Sequence, residues 1–444
     1  MATMQKEEYK DRLRSQFDTA LLDREEMEPD WMSTVRQRAM DAFEGQGFPT
    51  TRMEDWRYFN LSPLWQNSYS FQPVLNFNEL AVKRNDLFGM NSACRMVFVN
   101  GRFSRELSSK DIMPKNLTVL PLSEAYSSHK ESISSFLHNE AVWGENSLRS
   151  LNTAFMQDGA LISIPDGMIV EEPIWLVFMA IPAERLESYQ PRILVIAGEN
   201  SQMTLIESHV AYKNGEYWSN PMVQLHAKQG AVIDHYKIQM ESPHATHTSH
   251  YHSLLERDVH FTATSLSFGG GMVRNDIQTE LKGEGIECTL NGLYMADERR
   301  LVDHHTSIDH QMPRCVSHEL YKGIINGHAT AVFNGKVYVR EDAQKTDAKQ
   351  TNQNLLLSAD ATVNTKPQLE IFADDVRCTH GATVGQLNED ELFYLRSRGI
   401  SKEEGKKLLI WAFASDIIGR IKVDSLRYPL QERVFQQFNA GYIK

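Results

Sequence analysis

The chain has 444 residues, 41% hydrophobic and 23% charged, the proportions of a folded globular protein and not of a disordered chain or a membrane bundle. Its length predicts about three domains, or fewer if one is an elongated β structure. Lys and Arg number 46 against 58 Asp and Glu, a formal net charge of −12, which argues against nucleic acid as a partner because phosphate binding needs a basic surface.

Residues 1 to about 60 read as helical. Leu13, Phe17, Leu21 and Leu22 fall at helical spacing. Pro29 opens a second helix carrying Trp31, Val35, Ala39 and Phe43, with Gly45 as its stop. The aromatic-rich segment Gly47–Asn60 follows as an irregular link. The N-terminus lacks the apolar segment of a signal peptide, and the longest apolar run, Ile174–Ile181, is too short to cross a membrane. Cys94, Cys288, Cys315 and Cys378 are far apart, with no CxxC pair and too few thiols for a disulfide framework. Together these read as a cytoplasmic protein of a reducing compartment, with no membrane contact.

From about 95 to 385 short β-branched runs alternate with Gly, Asn and Asp, as in Cys94–Phe103, Ala160–Pro165, Pro173–Pro182, Arg192–Val210 and Gly230–Met240. The exception is Ser123–Leu151, which reads as one or two helices; after Asn152 no helix is expected for about 200 residues. Small or polar turns lead into alternating strands at Gln229–Ala231, Asp258–His260, Gly283–Gly285, Asn326–Thr330, Ala359–Thr362 and His380–Thr383, at irregular intervals of about twenty to forty residues. Stacked rungs of this kind predict a β-solenoid, with a β-sandwich as the alternative. The last sixty residues turn helical again, with capping boxes at Asn388/Glu391 and Ser401/Glu404, Gly399 as a stop, the apolar run Leu408–Ile421, and a third segment with Val434, Phe435 and Phe438. The expected division is a helical region with its linker at 1–94, a β core at 95–385 and a helical region at 386–444.

There is no phosphate loop, GxSxG elbow, HExxH or dinucleotide fingerprint. Histidines cluster in Pro243–His252, with His244, His247, His250 and His252, and in Val302–His310, with His304, His305 and His310. A metal site is one reading of each, and Asp303 and Asp309 are suited to orient imidazoles; a polar hydrogen-bonded ladder is the reading favoured. The sharpest feature is Asp374–Gly381, where Cys378 and His380 stand two apart and so share a strand face. A thiolate and an imidazole are suitable iron ligands, and Arg377 beside the thiol is expected to lower its pKa. Two ligands are an incomplete set, so a partner or another segment must supply the rest.

The stretch Lys322–Gly381, continuing through Leu392–Ile400, resembles the SufB/SufD family of the SUF iron–sulfur cluster assembly system, as do Gly47–Tyr58 and Val302–His310. Within that family the chain is most like the SufD subunit, since it lacks the Cys-rich N-terminal motif and longer body of the SufB type. The resemblance implies a right-handed parallel β-helix between helical end regions. It implies a non-catalytic scaffold that pairs with SufB and binds the SufC ATPase, with desulfurase and ATPase activities left to partners. It further implies a transient iron–sulfur cluster at the SufB–SufD interface, contacted by His380 and, less firmly, Cys378, with none held tightly by the lone chain. The C-terminal apolar residues Leu408, Leu409, Trp411, Phe413, Ile417 and Ile418 suit docking of the ATPase, and equally an ordinary helical core. An uncapped solenoid end near 366–386 suits pairing with SufB, or with a second copy when the chain is alone. The competing readings are the SufB-type paralogue, a carbohydrate-active β-helix enzyme using Asp374 and Asp375, and a metal-storage protein using the His-rich runs.

Overall fold

The computed structural model describes residues 2–24, 28–72, 94–109, 114 and 116–439; the remainder of the expected linker, 73–93, lies outside them. Strands between Cys94 and Gly385 form a parallel β-solenoid with two long sheets. Sheet one has ten strands and runs from Arg102–Ser109 and Cys94–Val99 to Arg377–Gly385. Sheet two has eleven and runs from Thr118–Pro121 and Gly159–Ile164 to Thr362–Ile371. Pairing is parallel except at the start, where Cys94–Val99 meets Arg102–Ser109 and Thr118–Pro121 meets Gly159–Ile164 in antiparallel register.

The rung repeat is set at one corner. Asn200, Gly230, Asp258, Gly285, Arg314 and Lys345 all adopt positive φ there, 27 to 31 residues apart. Asn200, Gly230 and Asp258 donate their amides to the carbonyls of Gln229, Arg257 and Glu284 in the next turn, at 2.8–2.9 Å. Lys345 does the same to Asp375 at 2.7 Å. The repeat is thus more regular than the turn residues suggest in sequence, because several residue types fill one conformational position.

Within each strand alternate residues face the lumen. Leu301–His310 shows it: Val302, His304, Thr306, Ile308 and His310 are buried, while His305, Ser307 and Asp309 are only partly so. The lumen is lined by an apolar cluster that runs from Met96 and Phe98 through Val195, Ile233 and Phe261 to Ala331 and Phe333. Gly292 and Gly323 shape its middle. Each stands in register with a tyrosine one rung away, Tyr321 and Tyr294, and a Cβ at either position would enter the facing ring.

The outer faces are covered by helices. On the N-terminal side these are α1 (Ala2–Arg24), α2 (Asp30–Gln46) and α3 (Ser62–Gln66), followed after the first strands by α4 (Leu122–Ser128), α5 (Lys130–Leu137), α6 (Glu140–Trp143) and α7 (Ser147–Phe155). Phe17, Met40, Phe43, Trp143 and Phe155 pack with Trp218 and Met222 on sheet two. At the other end α9 (Lys402–Ile418) and α10 (Asp424–Asn439) lie against sheet one, and α8 (Glu389–Ser397) packs on α9, with Leu392 against Gly405. Ile410, Ala414, Ile417, Ile418, Leu430 and Val434 pack there on Val97, Trp175, Ile206, Leu293 and Ile324, each burial of this kind contributing about 1.5–3 kcal/mol.

Four expectations change in detail. The helix from Pro29 runs past Gly45 and ends at Gln46, because Gly47, at φ 67°, takes the left-handed position and its amide closes on Phe43 O. Ser123–Leu151 holds four helices, broken at His129, Asn139 and Asn146. Asn388 caps α8 through its own side-chain oxygen, whereas the reciprocal box forms at Ser401 and Glu404. The segment Gly47–Asn60 is more than a link: Phe48, Trp56 and Phe59 are buried. It is clamped to sheet two by Arg274, which stacks 3.9 Å over Trp56 and donates to the Asp55 carbonyl at 2.6 Å.

Replacing Gly292 by Ala should cost about 1–3 kcal/mol through overpacking against Tyr321. Urea unfolding of the two proteins measures this; equal midpoints would mean that the ring does not occupy the space above Gly292.

Candidate functional site

The last rung of sheet one, Arg377–Gly385, pairs on one side with Asp347–Leu356. Parallel strands bond through alternate residues. Arg377 donates to Thr346 O at 2.8 Å, so the amides of Cys378, His380, Ala382 and Val384 face the open edge. Cys378 lies in register with Ala348 and His380 with Gln350, on the lumen side of the strand. Because the solenoid stops here, this inner surface is largely uncovered: Cys378 is half-buried, and His380 is exposed, as are Val384, Ile371 and Phe372 of the same terminal rung.

Cys378 rests against a small apolar cluster of Val337, Val339, Ala343, Ala348 and Ala373. Burial pushes its thiol above the ordinary range, and the Asp347 carboxylate adds to this. The expected lowering by Arg377 is therefore overturned: Arg377 points to the opposite face of the strand and is exposed, while the thiol sits on the cluster. Asp374 and Asp375 occupy the final corner turn, where Asp375 pairs with Lys345. They are turn residues and not an opposed acid/base pair.

The two histidine runs divide between the faces. In the first, His247 points into the lumen, with Nδ1 2.7 Å from Glu241, while His250 and His252 point outward, beside Asp276 and Glu280 at 3.5 and 2.7 Å. His244 is exposed in the preceding turn. In the second run, His304 is buried between Tyr294 and Tyr321. His305 faces outward, 2.9 Å from Asp303, and His310 meets the Ser317 hydroxyl at 2.8 Å. Asp303 thus orients an imidazole as expected, but Asp309 is taken by Arg340. Among the described residues no group of three or more His, Cys, Asp or Glu is arranged to hold a metal ion.

The lumen also holds polar side chains that sequence reading did not single out. Lys237 donates to His247 at 3.0 Å and to Asn275 at 2.8 Å. Glu207 meets His209 at 2.5 Å and His235 at 3.1 Å. A cavity of about 30 Å³ lies among Glu207, His235, Lys237, Ser249 and Asn275, enough for one water. Burial pushes Lys237 down to about 8 against the pull of Glu207 and Glu241. Nearer the open end, Gln350 Nε2 donates to Glu319 Oε2 at 2.6 Å, and burial pushes Glu319 up to about 7 although Thr306 and Gln350 oppose it. The sequence signal was available: Glu319 stands two residues before Tyr321, in phase with the inward positions of its strand.

The chain matches two family models: the SufBD core domain of SUF-system FeS cluster assembly, over residues 179–413, and the SufBD N-terminal region, over 5–176. It therefore belongs to the SufB/SufD family of the SUF system. Within the family it is SufD-like. A SufBD family iron–sulfur cluster assembly protein of Synechocystis is 31% identical over 90% of this chain and 89% of its own length. The iron–sulfur cluster assembly protein SufD of Escherichia coli is 29% identical over 89% and 90%, and SufD of Bacillus subtilis 22% over 91% and 93%. Among the described residues no helix is long and apolar enough to cross a membrane.

Acid should destabilise the protein below neutral pH. Burial holds His247 and His310 near 4 and His250 and His304 near 3, so between pH 7 and 5 only the unfolded chain takes up protons at these sites. Stability at each falls by about 1.4 kcal/mol per pH unit once the pH is below the free imidazole value. Glu319 works in the opposite sense, because its raised carboxyl favours the folded state at low pH and loses that contribution as the pH rises through about 7. One carboxyl does not offset four imidazoles. Urea midpoints should therefore drop from pH 7 to pH 5, and drop further in Glu319→Gln; a higher midpoint at pH 5 would contradict the assignment of neutral buried histidines.

Proposed function

We propose that this chain is a non-catalytic scaffold subunit of a SUF iron–sulfur assembly complex. Its last rung abuts a SufB-type paralogue, and His380, with Cys378 as a second ligand, supplies one half of the place where the nascent cluster forms. The observation that carries this reading is the open last rung. It leaves a thiol and an imidazole on one uncovered face, beside a strand edge whose amides invite a further strand. The cluster is cargo in transit and not a resident group of the lone chain. Two side chains fall short of the four ligands that such clusters take from protein, and the paralogue supplies the others. The same edge pairs two copies of this chain when no paralogue is present. ATP hydrolysis and sulfur release belong to partners, and the four free thiols suit a reducing cytoplasm.

The ATPase docks on α8–α10, where Leu408 is the one residue of the set expected from sequence that is exposed. Ile417 and Ile418 are fully buried against sheet one, and Trp411 and Phe413 are partly covered there. What remains exposed is Phe393 at 71%, Tyr394 at 56%, Tyr428 at 56% and, less so, Leu408 and Phe435. Deleting 386–444 is a poor test of this, since it uncovers Trp175, Ile206 and Leu293. In the purified complex, Phe393→Ser with Tyr394→Ser should instead weaken ATPase association by about tenfold or more, ~1.4 kcal/mol, with the chain still folded. Unchanged ATPase affinity would move the docking surface elsewhere.

His380→Ala in the assembled complex should leave subunit composition and melting temperature unchanged while cluster formation falls to about a tenth or less. Cys378→Ser should give a smaller loss, because its thiol is half-buried and held protonated. Normal cluster formation in a well-folded His380→Ala complex would overturn the assignment.

A further inference from the structure

We propose that Gln350 and Glu319 are positioning residues for His380: the two form a hydrogen-bonded pair in the lumen beneath it, and the Gln350 Oε1, unpartnered in this structure, is the acceptor for an imidazole N–H. The proposal rests on the reading of His380 as the cluster-site residue. Leu290, Glu319, Gln350 and His380 occupy successive rungs in strict register on the inner face of sheet one. Rungs lie about 4.8 Å apart, which is within reach of an amide beneath an imidazole.

The amide of Gln350 is fixed from below and from the side. Its Nε2 is committed to Glu319 Oε2 at 2.6 Å. On the opposite wall Gly335 leaves the space that the amide fills, because a Cβ there would collide with Nε2 and Cδ of Gln350. Its Oε1 has no hydrogen-bond partner although the residue is only 1% exposed. A buried amide oxygen without a donor is uncommon and calls for an explanation. With the nitrogen turned to the rung below, the oxygen is left for the rung above, where His380 is the register partner.

An imidazole that donates one ring N–H to Gln350 Oε1 is fixed in one neutral tautomer, and its other nitrogen carries the lone pair outward. Orientation of a ligating imidazole by an acceptor on its far nitrogen is the usual way in which such ligands are aimed. Glu319 anchors Gln350. It is faced by Leu290 from the rung below, by Gln350 from above, and by Thr306 from sheet two, with Tyr321 and Cys288 as the neighbouring titratable groups. Burial keeps its carboxyl above the ordinary carboxylate range.

The test uses the full-length chain alone, with ring-nitrogen chemical shifts of His380 recorded at a pH where the imidazole is neutral. One tautomer should predominate in the unmodified chain. In Gln350→Met, which keeps the volume and removes the acceptor, the tautomer ratio should shift by about threefold or more toward that of a free imidazole. Gln350→Glu retains an acceptor and should keep the original ratio. A free-imidazole ratio in the unmodified chain, or the same ratio in Gln350→Met, would overturn the proposal; the first measurement needs no variant to fold. Cluster formation plays no part in this readout. A tautomer shift in Gln350→Met together with normal assembly by His380→Ala would therefore refute the cluster-site reading while leaving the positioning role in place.

Discussion

Each strand of the solenoid bonds to the strand one rung earlier, and that single rule of parallel pairing has a consequence at the end of the chain's β region. Every interior rung spends its outward amides on the next rung. Arg377–Gly385 has no next rung among the described residues, so half of its backbone groups and most of its inner surface, from His380 on, stay uncovered. Parallel β-structure is ordinarily buried, and an edge of this kind is costly to leave bare. The opposite end is treated differently: there the antiparallel strands Arg102–Ser109 and Thr118–Pro121 close the two sheets. The asymmetry gives the fold one finished end and one unfinished end, and Cys378 and His380 stand at the unfinished one.

The composition of the lumen also follows from stacking. An apolar column through all rungs would bury more hydrocarbon and give a more stable solenoid. Instead Glu207, Lys237, His247 and Asn275 are placed in the interior, where Glu207 meets His209 and Lys237 bonds to His247 and Asn275. Buried charges of this kind are weak contributors to stability even when paired, and they raise the cost of breaking any one contact. Their number is balanced by the helical layers, where Trp175, Trp218 and Trp143 are fully buried. Apolar burial is thus shared between the lumen and the outer faces, and the interior near the last rung carries polar groups such as Glu319, Gln350 and Asn352.

The fold class was readable in the sequence because β-branched runs and turn residues recur without helix between Phe155 and Glu389. The rung period was not, since Asn200, Gly230, Asp258, Gly285, Arg314 and Lys345 share a conformation and not a residue type. The pairing of Cys378 with His380 on one face needed only the two-residue period of a strand. What lay beneath them did not follow from local pattern. Gln350 and Glu319 come from strands about thirty and sixty residues earlier, and only rung register stacks them under His380. The apolar run Leu408–Ile421 was readable as a helix, but a pattern of exposed and apolar residues does not tell a face that meets its own sheet from one that meets a partner.

That last ambiguity resolves by asking what each helix face already touches. The inward residues of α9, at Ile410, Ala414, Ile417 and Ile418, follow a spacing of four, three and one, a single stripe, and sheet one consumes it. A helix has one such stripe for its own core, so aromatic residues outside it are in excess of what folding requires. Phe393 and Tyr394 on α8 are of this kind. Large exposed aromatic side chains grouped on one short element are a better mark of an interaction surface than apolar content summed over a segment. The C-terminal helices thus have two sides: one completes the solenoid wall, and the other leaves Phe393 and Tyr394 exposed beyond what that wall requires.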